Sequence, residues 1–346
     1  MPPVLRSFAF LALPLSVLAA EEVRYNRDIR PILSENCFSC HGFDEKARKA
    51  KLRLDLPEEA TREHKGGTPI VPGDLAKSEV WQRIISDDPD DVMPPPKSHL
   101  KLSAQDKATL KAWIQQGAKY ESHWAFAAPK ETPVPTAGHP IDTFVSATLK
   151  RKGLEPTAGA DRATLIRRVS LDLTGLPPTP AEIAAFQADT STEAYARVID
   201  RLLASPRYGE HFARHWMDLV RYADTHGSEG DPNIPQSWRY RDYLIRAFND
   251  NVPYDQFVRE QIAGDLLTQP RVNPAEQLNE SALGTGHFRL IEHGFQPVDT
   301  LDEQVRNVDN QIDVVSKTFL GLTVSCARCH DHKFDAISQA DFTAFY

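Results

Sequence analysis

Cysteine and methionine are nearly missing from this 346-residue chain, which has four of one and three of the other. Glycine is thin as well, 17 residues against 26 prolines. Basic residues are outnumbered 40 to 48, leaving a formal charge of −8. A net acidic balance excludes a nucleic-acid binder, which needs a basic surface to neutralise phosphates. No apolar run approaches the ~20 residues of a membrane-spanning helix, so no stable membrane span is expected. What is present is ordinary for a folded protein: 41% hydrophobic and 25% charged residues, which excludes a disordered or collagen-like chain. The length suggests two domains.

Residues 1–20 read as a secretory signal. Arg6 supplies a short positive region, an apolar run covers 8–20, and Val17-Leu18-Ala19-Ala20 offers small residues for cleavage ahead of Glu21. Thirteen apolar residues reach only ~20 Å as a helix, too short for a ~30 Å hydrocarbon core. No cysteine follows the run, which disfavours a lipid anchor. An exported, periplasmic protein is expected.

The four cysteines fall in two copies of one pattern. Cys37-Phe38-Ser39-Cys40-His41 is the first and Cys326-Ala327-Arg328-Cys329-His330 the second. Both match C-x-x-C-H, the attachment sequence of c-type haem. Two thiols add across the two vinyl groups of one haem, and the adjacent His41 or His330 can take the proximal iron position. At this chain's cysteine and histidine content, chance would supply about 0.002 such patterns. A zinc ribbon built on four cysteines would hold its pairs about 15–20 residues apart, whereas these lie at opposite ends of the chain. A thioredoxin-like pair lacks its βαβ setting, and disulfides across so short a spacer are strained. Two haem c groups are therefore expected, on Cys37 and Cys40 and on Cys326 and Cys329.

Haem chemistry turns on the position facing the proximal histidine. A thioether suits electron transfer at raised potential, a second imidazole lowers the potential, and an open position admits a small ligand. Beyond the signal only Met93 and Met217 remain. Met93 precedes Pro94-Pro95-Pro96, which hold the chain extended and present the side chain, so Met93 is the candidate axial ligand of the first haem. Met217 lies in an apolar helical stripe and reads as core. For the second haem His332 follows His330 too closely to reach the far face. His211, His215, His226, His287 and His293 all stay open as distal ligands, with His287 and His293 in loop-like surroundings. His211 and His215 are spaced i, i+4 but lack the H-E-x-x-H pattern of a metal site.

A mainly α fold is expected, a small cytochrome-c-like domain plus a larger helical domain carrying the second motif. The first domain covers 21–120. Ile29, Ile32 and Leu33 form one side of a short helix leading into Cys37. Residues 51–56 alternate as one short strand. Ser78 caps a helix bearing Val80, Trp81, Ile84 and Ile85. Ser103 and Asp106 form a capping pattern before Leu110, Trp113 and Ile114, and Gly117 ends that helix. Proline-rich residues 121–140 read as a semi-rigid linker. The second domain, 141–346, begins helices at Thr179-Pro180 and Ser205-Pro206. Further helices are expected over 195–203, 238–248 and 254–267. Leu301, Val305, Val308, Ile312, Val315, Phe319 and Leu322 alternate in steps of four and three, predicting one long helix that delivers Cys326 directly. Residues 227–233 read as a surface loop.

With these motifs placed, the chain resembles the exported multi-domain cytochromes of planctomycetes and their relatives. Arg30-Pro31-Ile32-Leu33, the stretch 37–42, Leu52-Arg53-Leu54-Asp55, Ile70-Val71-Pro72-Gly73, Met93-Pro94-Pro95 and Trp113-Ile114 are similar to the planctomycete cytochrome c domain. Residues 170–180, 202–207, Ala213-Arg214-His215-Trp216, Arg221-Tyr222-Ala223-Asp224, 238–242 and 321–334 are similar to the uncharacterised helical domain that follows it. The resemblance implies haem at both C-x-x-C-H sites and Met93 as axial ligand. It departs around His287, where the residue order differs. Relatives continue into another large C-terminal domain, so a missing C-terminal domain or an oligomer partner is an expectation.

Three functions remain: an exported di-haem electron carrier serving a redox partner protein, a di-haem oxidoreductase of peroxidase or dehydrogenase type with an open second haem, and a non-redox binding or scaffold module. A visible ligand for the first haem favours the carrier over a stand-alone enzyme.

Overall fold

A computed structural model describes residues 22–134, 138–227, 230–292 and 299–346. The proposed signal and His293 lie outside the described residues. The chain divides into two units. One comprises residues up to Pro129 together with Asp331–Ala336, the other Lys130–His330 with Ile337–Tyr346. The fold is mainly helical, and none of the described helices is long and apolar enough to cross a membrane.

The first unit is built from short helices and long tethered loops. A π-helical turn, Tyr25–Ile29, runs into α1 (Arg30–Asn36), then α2 (Phe38–His41), α3 (Pro57–Ala60), α4 (Glu79–Ile85) and α5 (Ala104–Gln115). Ile29, Leu33, Phe38, Leu54, Ile70, Ile84, Leu110, Trp113 and Ile114 form one buried core, and each large aliphatic contributes about 1.5–3 kcal/mol by leaving water. Tyr25, Trp113 and Tyr120 pack as an aromatic trio, with centroids 4.5 to 5.8 Å apart. That trio fastens the entry turn to α5. The Ser103–Asp106 capping box starts α5 as expected.

Two local expectations fail here. Residues 51–56 form no strand. A lone strand has no ladder partner, and the backbone instead serves the helical turn before it, with Leu54 N–H donating to His41 C=O at 2.8 Å. Ser78 occupies the N-cap position of α4 but makes no cap bond. It is fully buried, and its hydroxyl accepts from Val71 N–H at 2.9 Å and donates to Asp74 C=O at 2.7 Å. The loop consumes the capping group.

The second unit holds α6 (Pro140–Arg151), α7 (Arg162–Thr174), α8 (Pro180–Ala188), α9 (Ala194–Leu203), α10 (Pro206–Leu219), α11 (Trp238–Asn249), α12 (Tyr254–Ala263), α13 (Glu280–Gly284), α14 (Thr300–Val315) and α15 (Gln339–Ala344). Two-residue strands β1 (Val272–Asn273) and β2 (Leu278–Asn279) pair antiparallel before α13. Thr179 and Ser205 cap α8 and α10 through their hydroxyls. The central core gathers Ala213, Val220, Tyr240, Tyr243, Leu244, Phe257 and Val314, with Met217 packed against it as the helical stripe implied. Beneath it Glu260 is fully buried and bonded to Arg271, Tyr243 and Ser281. Those partners compensate for desolvating a carboxylate.

Val308, Ile312 and Leu322 of the apolar stripe join Val324, Ala327, Ile337 and Phe342 in one core, while Val314, off the stripe, faces the central core. The regular helix stops at Val315, loosens into a π turn at Ser316–Leu320 and ends at Gly321 with φ +65°. A left-handed residue cannot continue the helix, and glycine takes that conformation without a Cβ clash. Cys326 follows in a separate 3-10 turn, Val324–Ala327. The helix therefore does not deliver it directly.

Candidate functional site: a c-type haem cradle

The first C-x-x-C-H occupies a single helical turn. Cys40 N–H and His41 N–H both donate to Cys37 C=O, at 3.1 and 2.8 Å, and Cys37 N–H donates back to Leu33 at 2.8 Å. Residues three and four apart share a helix face, so this turn puts Cys37, Cys40 and His41 on one side. Phe38, between the thiols, is buried and anchors the turn to the core. Gly42 closes it: a Cβ there would stand 2.4 Å from Phe38 C=O, so a side chain would force the turn open. The loop beyond ties off the exposed carbonyls, with Lys49 N–H donating to Cys40 C=O at 2.7 Å and Arg48 Nε to Gly42 C=O at 2.9 Å.

These residues line a cavity of about 380 Å³. Cys37, Cys40 and His41 contribute to its wall together with Leu52, Leu54, Ile84 and Met93. The sequence-predicted axial methionine and the first attachment motif thus share one cavity. Met93 N–H donates to Arg83 C=O at 3.1 Å, at the end of α4. The Met93–Pro94 peptide bond is cis, Pro95 is extended, and Pro96–Ser98 form a 3-10 turn. Extension therefore covers only part of the proline run.

The electrostatics suit an apolar macrocycle. Burial pushes the Cys37 thiol up to about 12, with the neighbouring Cys40 adding to it. His41 titrates below its ordinary value, chiefly through burial, with the Lys49 backbone working the other way and the Arg83 charge lowering it further. Its ring is held neutral, the form that ligates a metal. His41 Nδ1 is buried without a hydrogen-bond partner, a cost of about 1–3 kcal/mol unless something occupies the site. Two thiols, an imidazole and a thioether on one largely apolar cavity fit haem c.

Local spacing gave no sign of four further lining residues, Lys49, His64, Glu79 and Arg83. Only the i, i+4 spacing of Glu79 and Arg83 was readable, and it predicts a mutual contact rather than a place in the cavity.

The second motif is arranged differently. Ala327 is fully buried, yet Cys326, Cys329 and His330 are exposed. Arg328 is held by Asp309 at 2.8 Å. The 3-10 turn ends at Ala327, and Cys329 and His330 sit in the bend after it. Of the distal candidates, His287 is buried in the second unit with Nε2 2.9 Å from Gln261 C=O. Burial holds it down at about 4. His211 and His215 stack edge to face at 4.9 Å, and His226 Nδ1 lies 3.0 Å from Ile291 C=O. No group of three or more metal-binding side chains occurs among the described residues.

No curated protein and no solved structure matches the chain. The family described as planctomycete cytochrome C matches residues 37–97, a span that holds both the attachment turn and Met93. Residues 140–346 match a second family, a protein of unknown function designated DUF1549, and by that match, more than half its length, the chain belongs to the DUF1549 family, joined to a planctomycete cytochrome C region.

Proposed function

We propose that this protein is an exported di-haem c-type cytochrome that passes single electrons to and from a partner oxidoreductase. The observation that carries the reading is the shared cavity of Cys37, Cys40, His41 and Met93. Bound there, haem supplies a ferric/ferrous one-electron couple. The chain's part is to tether through Cys37 and Cys40, to ligate through His41 and Met93, and to exclude water with Leu52, Leu54 and Ile84. Thioether ligation raises the potential and leaves no open position, which suits a carrier rather than a catalyst. Four exposed aspartates, Asp87, Asp88, Asp90 and Asp91, stand just before Met93. They would dock a basic partner beside the cavity, in an association that weakens with salt.

The test is the full chain matured in a host with haem-attachment machinery. Intact mass should rise by ~1.2 kDa for two haems. The long-wavelength thioether band of the ferric protein should vanish in Met93→Ala. Survival of that band removes Met93 as ligand, and absence of the added mass ends the proposal.

The exposure of Cys326, Cys329 and His330 favours a second reading for that end of the chain, an iron open on one face to a small ligand. High-spin signals that respond to cyanide or peroxide would support an oxidoreductase. A wholly low-spin, unresponsive protein would exclude it.

A further inference from the structure

Arg83 meets the candidate iron ligands in two independent ways. Its carbonyl accepts the N–H of Met93 at 3.1 Å, so the end of α4 fixes where the methionine arm begins. Its side chain lines the same cavity as His41 and Met93. Two carboxylates hold the guanidinium in place. Nε donates to Glu79 Oε1 at 2.9 Å, and Nη1 lies 3.5 Å from Asp91 Oδ1. The Arg83 side chain is 36% exposed, so its field is only partly screened by water.

An exposed i, i+4 pair of this kind is ordinarily worth about 0.3–0.5 kcal/mol of helix stability and needs no further role. This pair differs in location. Glu79 also lines the cavity, so a cation and its counter-charge both stand where a redox centre would be held. Oxidation of a haem adds one positive charge at the iron, and a fixed cation nearby opposes that step. A fixed anion assists it.

We propose that Arg83 is the potential-setting residue of the first centre: its backbone seats the Met93 arm, while its guanidinium, clamped by Glu79 and Asp91, favours the ferrous state. Glu79 acts in the opposite sense as a trim on that charge. The arginine fork matters because it can meet both carboxylates at once from a fixed plane, which a lysine ammonium on a flexible stem does less well.

This role rests on the haem reading above. The experiment is a redox titration of the matured full chain, with haem content and the thioether band recorded on each sample. Arg83→Gln should keep its haem and its thioether band, because the Met93 tie runs through the backbone, while the midpoint potential falls. Arg83→Lys should recover most of that fall. Glu79→Gln should shift the potential upward, opposite to Arg83→Gln. An unshifted potential in Arg83→Gln with haem intact overturns the role alone. Shifts of the same sign in Arg83→Gln and Glu79→Gln also overturn it, since they would report distortion rather than charge. Wild-type protein without haem fails at the earlier step and takes this role with it.

Discussion

The same five-residue pattern occurs twice, and the two surroundings differ in everything but the two spacer positions. In both copies the residue after the first cysteine is buried, Phe38 at 4% exposure and Ala327 at 0%. In both, the next residue, Ser39 or Arg328, is exposed. Each turn is thus fastened to its core by the same spacer position. Around the first copy the loops from Lys49 to Leu54 and the Met93 arm build a cavity. Around the second, Cys326, Cys329 and His330 face outward from a turn that stops at Ala327. A covalent motif fixes the chemistry of attachment. Whether a site is enclosed is decided by residues far away in sequence.

The largest expected effect separates the two copies by removing their thiols. Cys37→Ala with Cys40→Ala should remove ~0.6 kDa of haem, abolish the thioether band and destabilise the first unit, which would keep an unfilled cavity. Cys326→Ala with Cys329→Ala should remove a similar mass yet leave that band unchanged, as read by mass and absorption. A band lost in both variants would break the comparison, because it would make the two sites one.

A smaller effect tests the shared spacer position. Phe38→Ala removes a ring from a packed core and should cost about 3–5 kcal/mol of unfolding free energy. Ala327→Leu inserts bulk where none is free and should cost about 1–3 kcal/mol. Denaturant unfolding of each variant measures both. If either substitution is neutral, the turn on that side is not anchored as described, and the likeness between the two copies ends there.

How much of this was readable beforehand follows from the range of the forces involved. Attachment chemistry is local, so Cys37, Cys40, His41 and their partners at 326–330 stand out from spacing alone. Helix starts at Ser103, Thr179 and Ser205 were legible for the same reason, since a cap acts over three residues. Ser78 was misread because its hydroxyl is claimed by Val71 and Asp74 across a loop. Residues 51–56 were misread as a strand because alternation reports burial on one side, not the presence of a ladder partner. The stripe through 301–322 correctly marked an amphipathic helix, but nothing in its period announced the left-handed break at Gly321. The cavity itself was not legible. Arg83, Glu79, His64 and Lys49 arrive there through tertiary packing, and no short pattern carries that information.

The last expected effect compares two imidazoles, the half-buried His41 of the first unit and the fully buried His287 of the second. Both are held below their ordinary value chiefly by burial. His41 loses this behaviour once it ligates iron, because a metal-bound nitrogen cannot take the proton, so in the matured protein the acid response should pass to His287, alongside His123 of the first unit, which burial also lowers. The folded value of His287 is about 4 against 6.5 in the unfolded chain. The unfolded chain therefore takes up a proton in that window while the folded one does not. Stability is then fully present above pH 6.5 and falls as the pH drops toward 4, by up to about 3 kcal/mol. Glu260, whose carboxyl is held low by Arg271 and Tyr243 against the cost of its burial, adds its own loss only within the lower carboxylate range. Denaturant unfolding of the matured chain at about pH 7.5 and about pH 4.5 isolates the histidine, with His287→Gln keeping a donor for Gln261 while removing the titration. The variant should lose clearly less stability than wild type between the two conditions. Equal losses would assign the acid response elsewhere and leave His287 a passive part of the core.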